Sequence, residues 1–369
     1  MQGRIERIVT EVMEGERNMW PLSAPLYLAS LLYSRAVKAR LTLYSRSLLP
    51  TKELPCKVIS VGNITVGGSG KTPMTIFIAD YLKKRGCRTV VVSRGYGNTL
   101  KGGIGVVSDG TKILLTPRRG GDEPYLMAVR LKGVPVVVGA DRYSAGLAAI
   151  RRFKPHCIIL DDGFQHIRLK RDLNILLIDS SRGFGNGYLL PRGILREPID
   201  GVRRADMVMV KGATEQIDEE CLAPVRGLPT LSFRYRPSGL LSLNGGRSDI
   251  SLLAGKRVIA VAAIANPASF VRTLEECGAE VISTLFYPDH HWYSREEVGQ
   301  IRGEATRLKD RADMIVTTEK DMVKLGGLVS MKGVGLECYA LPVEVVTDNM
   351  NPLETLLAPI IAETVGETI

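Results

Sequence analysis

Lys71 and Thr72 close a loop carrying Gly67, Gly68 and Gly70, in the string TVGGSGKT over residues 65–72. Residue types in that pattern bind phosphate. Glycines adopt positive φ without steric cost and let backbone N–H groups curl around oxygens. The lysine then reaches the terminal phosphates, and the threonine hydroxyl ligates Mg²⁺ at a helix N-terminus, where the dipole also favours an anion. The strict pattern G-x-x-x-x-G-K-[ST] asks for glycine at position 65, where this chain has Thr65; Gly67 and Gly68 supply the missing flexibility. Thr65, Val66, Gly67, Gly68, Ser69, Gly70, Lys71 and Thr72 are thus expected to hold ATP with Mg²⁺. The bland alternative is a glycine turn with an exposed lysine, and the strand and helix signals on either side speak against it.

Acidic groups follow in positions that suit a metal. Asp161 and Asp162 come directly after the apolar run Cys157–Leu160, at the carboxyl end of an expected strand. Two adjacent aspartates repel one another unless a cation neutralises them, so they are read as Mg²⁺ ligands, with a solvated acidic turn as the alternative. Asp179, after the run 173–178, is a rival for that role. In the same string, DDGFQH, Gly163 permits a sharp turn, while Gln165 and His166 could orient a substrate hydroxyl or phosphate. SRGYG (93–97) offers Arg94 to phosphate and Tyr96 for ring stacking. GDEP (121–124) sets Asp122 at a helix start, as fitting for an N-cap as for catalysis. Asp289-His290-His291 follows another strand; adjacent histidines point different ways, so one catalytic histidine is a better reading than a two-histidine metal site. TTEKD (317–321) is either a functional charge cluster or a solvated turn.

These groups need a frame of strands. VISVGNITVGGSGKTPMTIFIADY (58–81) reads as strand, glycine loop and helix. Runs at 89–93, 134–138, 157–160, 173–178 and 207–210 are continuous and apolar, as in strands covered on both faces, and 122–131 and 141–153 have helical spacing between them. The expected fold class is α/β: a P-loop NTPase-like doubly wound parallel sheet over 51–229, with its site at the carboxyl ends of the strands. Residues 230–254 are expected to form a β-hairpin linker turning at Pro237-Ser238-Gly239. A second, smaller α/β domain then fills 255–369: strand 258–262, a helix capped by Asn266 with Pro267 first, strand 281–285, a capping box Ser294-x-x-Glu297, strand 314–317 and a last helix near 352–362. No internal repeat or low-complexity tract interrupts this order.

Residues 1–50 form an N-terminal segment of their own. Its first sixteen residues lack the pattern of a secretory signal. Met19–Tyr33 is apolar, broken by Pro21 and Pro25, and too short for the roughly 20 residues that span a bilayer. Arg35, Lys38, Arg40 and Arg46 follow, which suits a membrane-interface helix facing anionic lipid; packing on its own domain is the alternative. The net charge of +10 over 369 residues points to an anionic partner. Aromatics at 6% without basic-aromatic interleaving make nucleic acid the weakest of the anionic candidates. Six scattered cysteines, without a C-x-x-C pair, read as core fillers in a reducing compartment.

Taken together, TVGGSGKTP (65–73), SRGYG (93–97), GDEP (121–124), DDGFQH (161–166), GYLLPRGILREP (187–198), PDHHWY (288–293) and TTEKD (317–321) resemble the tetraacyldisaccharide 4′-kinase family, in family order along most of the chain. The irregular Thr65 fits as well, since that family's loop is TVGG-x-GKT. The resemblance implies transfer of the ATP γ-phosphoryl to the 4′-hydroxyl of a lipid disaccharide 1-phosphate, at the cytoplasmic face of the bacterial inner membrane, with no obligate protein partner. It also implies Asp122 as the base, assisted by a histidine of the DHH string, His290 ahead of His291. Asp161 and Asp162 would serve Mg²⁺, Tyr96 would lie near the nucleotide, and Arg192 would meet the lipid headgroup. The rival reading from another class is a P-loop regulatory or metal-delivery NTPase, which calls for Cys/His clusters that this sequence lacks.

Overall fold

The computed structural model describes residues 13, 20–68, 70–97, 99–100, 103–212, 223–326 and 335–366. Ser69 of the phosphate loop, Cys221, and the residues ahead of Trp20 except Met13 lie outside the described residues. In chain order the first elements are helix α1 (Trp20–Ser45), strand β1 (Lys57–Gly62), α2 (Lys71–Lys84), β2 (Thr89–Ser93), β3 (Gly105–Ser108), α3 (Asp122–Arg130) and β4 (Val136–Val138). Next come α4 (Arg142–Phe153), β5 (Cys157–Asp161), β6 (Leu173–Asp179), β7 (Met207–Lys211), β8 (Thr230–Pro237), β9 (Leu240–Ser242) and β10 (Arg247–Ser248). The last are β11 (Arg257–Ala262), α5 (Pro267–Glu276), β12 (Glu280–Phe286), α6 (Arg295–Arg307), β13 (Met314–Thr318), α7 (Glu319–Leu325), β14 (Glu337–Leu341), β15 (Val343–Val346) and α8 (Asn351–Gly366). The chain divides into two units: Met1–Arg94 with Gly139–Arg234 and Val346–Ile369, and Gly95–Val138 with Tyr235–Val345.

In the first unit the strands run parallel in the order β2-β5-β1-β6-β7-β8. Val58, Ile59 and Val61 of β1 and Ile158–Leu160 of β5 are fully buried, which is why these strands read as unbroken apolar runs. Met74, Ile78 and Leu82 of α2 are buried at 3.6-residue spacing, and Leu353, Leu357 and Ile360 of α8 likewise. Another cluster gathers Ile64, Phe164, Leu176, Ile178, Val208 and Val210, with Val37 of α1 packed against it. Because the strands are parallel, the phosphate loop after β1, Ser93 at the end of β2, Asp161 at the end of β5 and Asp179 at the end of β6 emerge at one edge of the sheet.

The second unit carries a sheet ordered β10-β9-β14-β13-β11-β12, parallel from β14 to β12 and antiparallel at β9 and β10. Ser294 and Glu297 make both bonds of the expected capping box, and the Asn266 side chain accepts the Ser269 N–H to cap α5. The antiparallel pair β3 and β4 belongs to this unit together with α3.

Several elements differ from the sequence reading. The strand expected from Val134 begins at Val136, since the Val134 N–H donates to Leu131 O in the turn that closes α3. That strand pairs antiparallel with Gly105–Ser108, a four-residue strand whose glycine and serine ends mask its apolar signal. The strands β8 and β9 do not pair with one another as a hairpin: β8 runs parallel to β7, while β9 pairs antiparallel with β14 and β10. Pro237-Ser238-Gly239 is therefore a crossing from one sheet to another; the Ser238 N–H, next to a proline that has none, donates to Pro342 O. At the N-terminal side, the apolar stretch and the basic stretch form one 26-residue helix that runs through Pro25. Among the described residues no helix is long and apolar enough to cross a membrane.

Candidate active site

The first unit presents the phosphate loop. Gly70 sits in the left-handed region (φ 76°, ψ 26°) immediately before α2, a conformation that glycine takes at no steric cost. The Val66 N–H donates to Ile194 O at 2.8 Å and Thr65 accepts from the Asn63 amide at 3.1 Å, so these two loop residues anchor the loop to its surroundings. The Lys71 ammonium lies 3.3 Å from Asn63 Oδ1 and 3.7 Å from Asp162 Oδ1. Thr72, the first-turn residue after it, is buried.

The two adjacent aspartates have different surroundings. Asp161 is buried and accepts hydroxyl hydrogen bonds from Thr75 at 3.2 Å and Ser93 at 2.9 Å. Asp162 is in the left-handed region (φ 51°) and turns the other way, where Arg196 Nη1 donates to both its oxygens at 2.9 and 3.0 Å. Burial works to raise the Asp162 carboxyl, but Lys71 and Arg196 hold it below the ordinary carboxylate range. Asp179, the rival, is bound at 2.8 Å to Lys211.

Of the residues read as substrate contacts, Gln165 spends its amide N–H groups on Asn63 O (2.7 Å) and Glu197 Oε1 (3.0 Å). Burial, reinforced by the Arg142 charge, pushes the His166 imidazole down to about 4, and its Nε2 has no hydrogen-bond partner among the described residues. Arg192 lies over the Tyr188 ring at 5.4 Å. Arg196, which holds Asp162, was not singled out in the sequence; it lies in GYLLPRGILREP, inside a segment without regular helix or strand.

The second unit gathers a different set. Asp122 is the first residue of α3 and only 3% exposed. Gly121 before it has φ 94°, and a Cβ there would stand 3.1 Å from Tyr96 O, so glycine lets the SRGYG turn close against the helix start. Asp122 Oδ1 accepts its neighbour's N–H from Glu123 at 2.9 Å, and Oδ2 faces His290 Nδ1 at 3.2 Å. Burial would raise this carboxyl, yet the His290 hydrogen bond and the Lys320 charge hold it down at about 2. The same hydrogen bond raises the His290 imidazole above its ordinary value, against burial and Lys320. Tyr96 is exposed and sits with its ring 5.1 Å from that of His290. His291 faces elsewhere: its Nε2 is 2.9 Å from Glu297, and its ring stacks on Tyr287. Lys320 of TTEKD lies 3.4 Å from His290 Nε2, and the string read as an even choice between cluster and turn spans the end of β13 and the first turn of α7.

The family model described as LpxK, tetraacyldisaccharide-1-P 4′-kinase, matches residues 22–362. A tetraacyldisaccharide 4′-kinase of Syntrophus aciditrophicus is 47% identical over 319 residues, 83% of this chain and 85% of that protein. One from Geobacter metallireducens is 42% identical over 335 residues, 90% and 97% of the two chains. Among solved structures, that of the "apo" form of LpxK from Aquifex aeolicus in complex with ATP is 34% identical, with a TM-score of 0.74 over 92% of this chain and 99% of its own.

Proposed function

This chain belongs to the tetraacyldisaccharide 4′-kinase family, and from that premise we propose that Asp122 takes the proton of the lipid hydroxyl while the loop around Lys71 holds ATP. The chain is an ATP-dependent phosphotransferase that moves the γ-phosphoryl to the 4′-hydroxyl of a tetraacyldisaccharide 1-phosphate, forming lipid IVA in lipid A biosynthesis. A regulatory or metal-delivery NTPase is not what its relatives are.

Phosphoryl transfer asks a protein mainly to position reactants and neutralise charge. Lys71 carries a fixed cation at the strand ends beside the loop. Thr72, Asp161 and Asp162 offer the hard oxygens Mg²⁺ prefers, and the small number of protein ligands fits an ion held jointly with phosphates. These residues would hold the ion, whose charge would offset that of the phosphates. Arg196 on Asp162 and the hydroxyls of Thr75 and Ser93 on Asp161 fix the two carboxylates in their orientations.

The observation that carries the base assignment is the 3.2 Å contact between the buried Asp122 carboxylate and His290. With His290 as the donor, the carboxylate is oriented, and its other oxygen, which accepts the Glu123 N–H, is the one proposed to take the substrate proton. Asp122→Asn keeps shape and removes basicity. It is expected to lose label transfer from γ-labelled ATP to tetraacyldisaccharide 1-phosphate by about 10²–10⁴-fold with ATP affinity retained; transfer at the wild-type rate would end the assignment.

For the membrane, α1 supports an interfacial reading in part and a packing role in part. Ser30 donates to Leu189 O and Tyr33 to Arg196 O, which fastens the helix to the GYLLPRGILREP segment. Leu28 and Leu32, one turn apart, are 63% and 67% exposed, with Arg35 and Lys38 also exposed beyond them. We propose that this surface rests on anionic lipid at the membrane face where the substrate resides. Replacing Leu28 and Leu32 together with glutamate is expected to lower binding to phosphatidylglycerol vesicles by at least about tenfold. The thermal midpoint should stay near wild type, since both positions are exposed. Unchanged vesicle binding would leave α1 as a packing element only.

A further inference from the structure

Lys320 sits where three carboxylates and one imidazole meet. Its ammonium is 3.1 Å from Glu123 Oε1, 3.2 Å from Asp289 Oδ1, 3.7 Å from Asp122 Oδ2 and 3.4 Å from His290 Nε2. The residues on either side fix it there. Glu319 takes a two-point hydrogen bond from Arg130 at the far end of α3, at 2.8 and 2.7 Å. Asp321 is fully buried, accepts the Ala263 N–H and the Thr318 hydroxyl, and pairs with the equally buried Lys324 at 2.8 Å. Lys320 is thus presented from a helix turn clamped on both sides.

An ammonium has only donors. A hydrogen on His290 Nε2 would set N–H against N–H at 3.4 Å, whereas a lone pair there accepts. The other ring nitrogen then holds the hydrogen, and it faces Asp122 Oδ2. Charge around the ring is divided. Asp122, Glu123 and Asp289 all lie within 3.9 Å of the ring and each favours an imidazolium; Tyr96 covers the ring without charge. Lys320 is the cation set against those three anions.

We infer that Lys320 is a positioning residue for the transfer reaction: by donating to His290 Nε2 it opposes protonation of that nitrogen and keeps the ring hydrogen on Nδ1, directed at Asp122. The consequence for chemistry is that Asp122 keeps a neutral hydrogen-bond donor as its neighbour. An imidazolium in that place would draw the carboxylate's charge and weaken it as an acceptor for the substrate proton. This inference rests on the base assignment for its effect on rate, and on the ring geometry alone for the state of His290.

The test combines histidine ¹⁵N spectra with pH–rate profiles. The chain has four histidines, so a His290→Gln spectrum identifies the ring signals. In the wild type above the His290 titration, Nδ1 is expected to be pyrrole-type and Nε2 pyridine-type; a pyrrole-type Nε2 overturns the inference without any Lys320 variant. In Lys320→Gln the His290 titration should move up by about one pH unit, and the kcat deficit should be about fivefold larger at pH 6.5 than at pH 8.5. Lys320→Arg keeps the charge and should retain the wild-type profile. A Lys320→Gln deficit equal at all pH values, or an unmoved titration, would mean that Lys320 only supports the fold. Should Asp122→Asn stay active while the His290 titration still shifts in Lys320→Gln, the base assignment fails and the electrostatic role of Lys320 stands.

Discussion

Lys71→Ala is expected to lower kcat for phosphoryl transfer by at least about 10²–10³-fold, the scale of losing a preorganised charge where the transition state needs it. Among the described residues, Lys71 faces Asn63 Oδ1 at 3.3 Å and Asp162 Oδ1 at 3.7 Å. Its removal therefore also leaves Asp162 with Arg196 as its close cationic partner. Arginine at this position should restore little, because a planar fork cannot replace a compact ammonium between a carboxamide and a carboxylate. The comparison that matters is with Thr72→Ala, which should chiefly raise the Mg²⁺ concentration needed for turnover. Near-normal turnover by Lys71→Ala would remove the loop from the reaction altogether.

The second large effect belongs to Asp122 and His290 together. A sugar hydroxyl is a poor nucleophile at neutral pH, and a positioned base contributes about 10²–10⁴-fold. Asp122, held at about 2, is a weak base by itself but stays ionised at every pH at which the enzyme is assayed. His290 orients it, and its own imidazole is raised by the same contact. The sign of the pH effect follows: lowering the pH through the raised His290 value creates the imidazolium, so kcat should fall on the acid side, and Asp122→Ala should move the His290 titration down. Asp122→Ala and His290→Ala are each expected to cut kcat far more than KM for ATP. The double variant should be scarcely worse than the worse single one, as for residues that act as a unit. Losses that multiply would show two independent roles, and Asp162 would become the next candidate for the base.

What could be read from the chain depended on how local the physics was. β1, β2, β5 and β6 were legible because strands buried on both faces must be apolar at every position. The Ser294–Glu297 capping box and the Asn266-Pro267 start were legible because they are satisfied within one turn. Gly105–Ser108 was not: a short antiparallel strand needs only a few inward residues, and its partner lies beyond a helix. Nor could the partnering of β8 and β9 be read, since alternation fixes which face is buried and says nothing about which strand lies alongside. In the site, strand-end carboxylates announced themselves, whereas the contacts of His290 with Asp122 and Lys320 join residues 168 and 30 positions apart and have no local signature. TTEKD was ambiguous for that reason. Glu319 and Lys320 are compensated by groups far away in sequence, so dense charge is compatible there with burial.

The return of α8 to the first unit has a consequence for how the protein is made. Glu354 of this helix accepts from Tyr81 across 273 residues, Glu363 pairs with Lys57, and Leu353, Leu357 and Ile360 complete the apolar interior. At roughly 5–20 residues per second of synthesis, Tyr81 leaves the ribosome about 15–55 s before its partner exists. During that interval the phosphate-binding sheet is translated but one helix short, with the apolar surface that α8 covers open to solvent. The nascent enzyme therefore passes through a state that invites chaperone capture. Final consolidation of the ATP-binding unit waits for α8, even though strands β1 to β7 emerge well ahead of it.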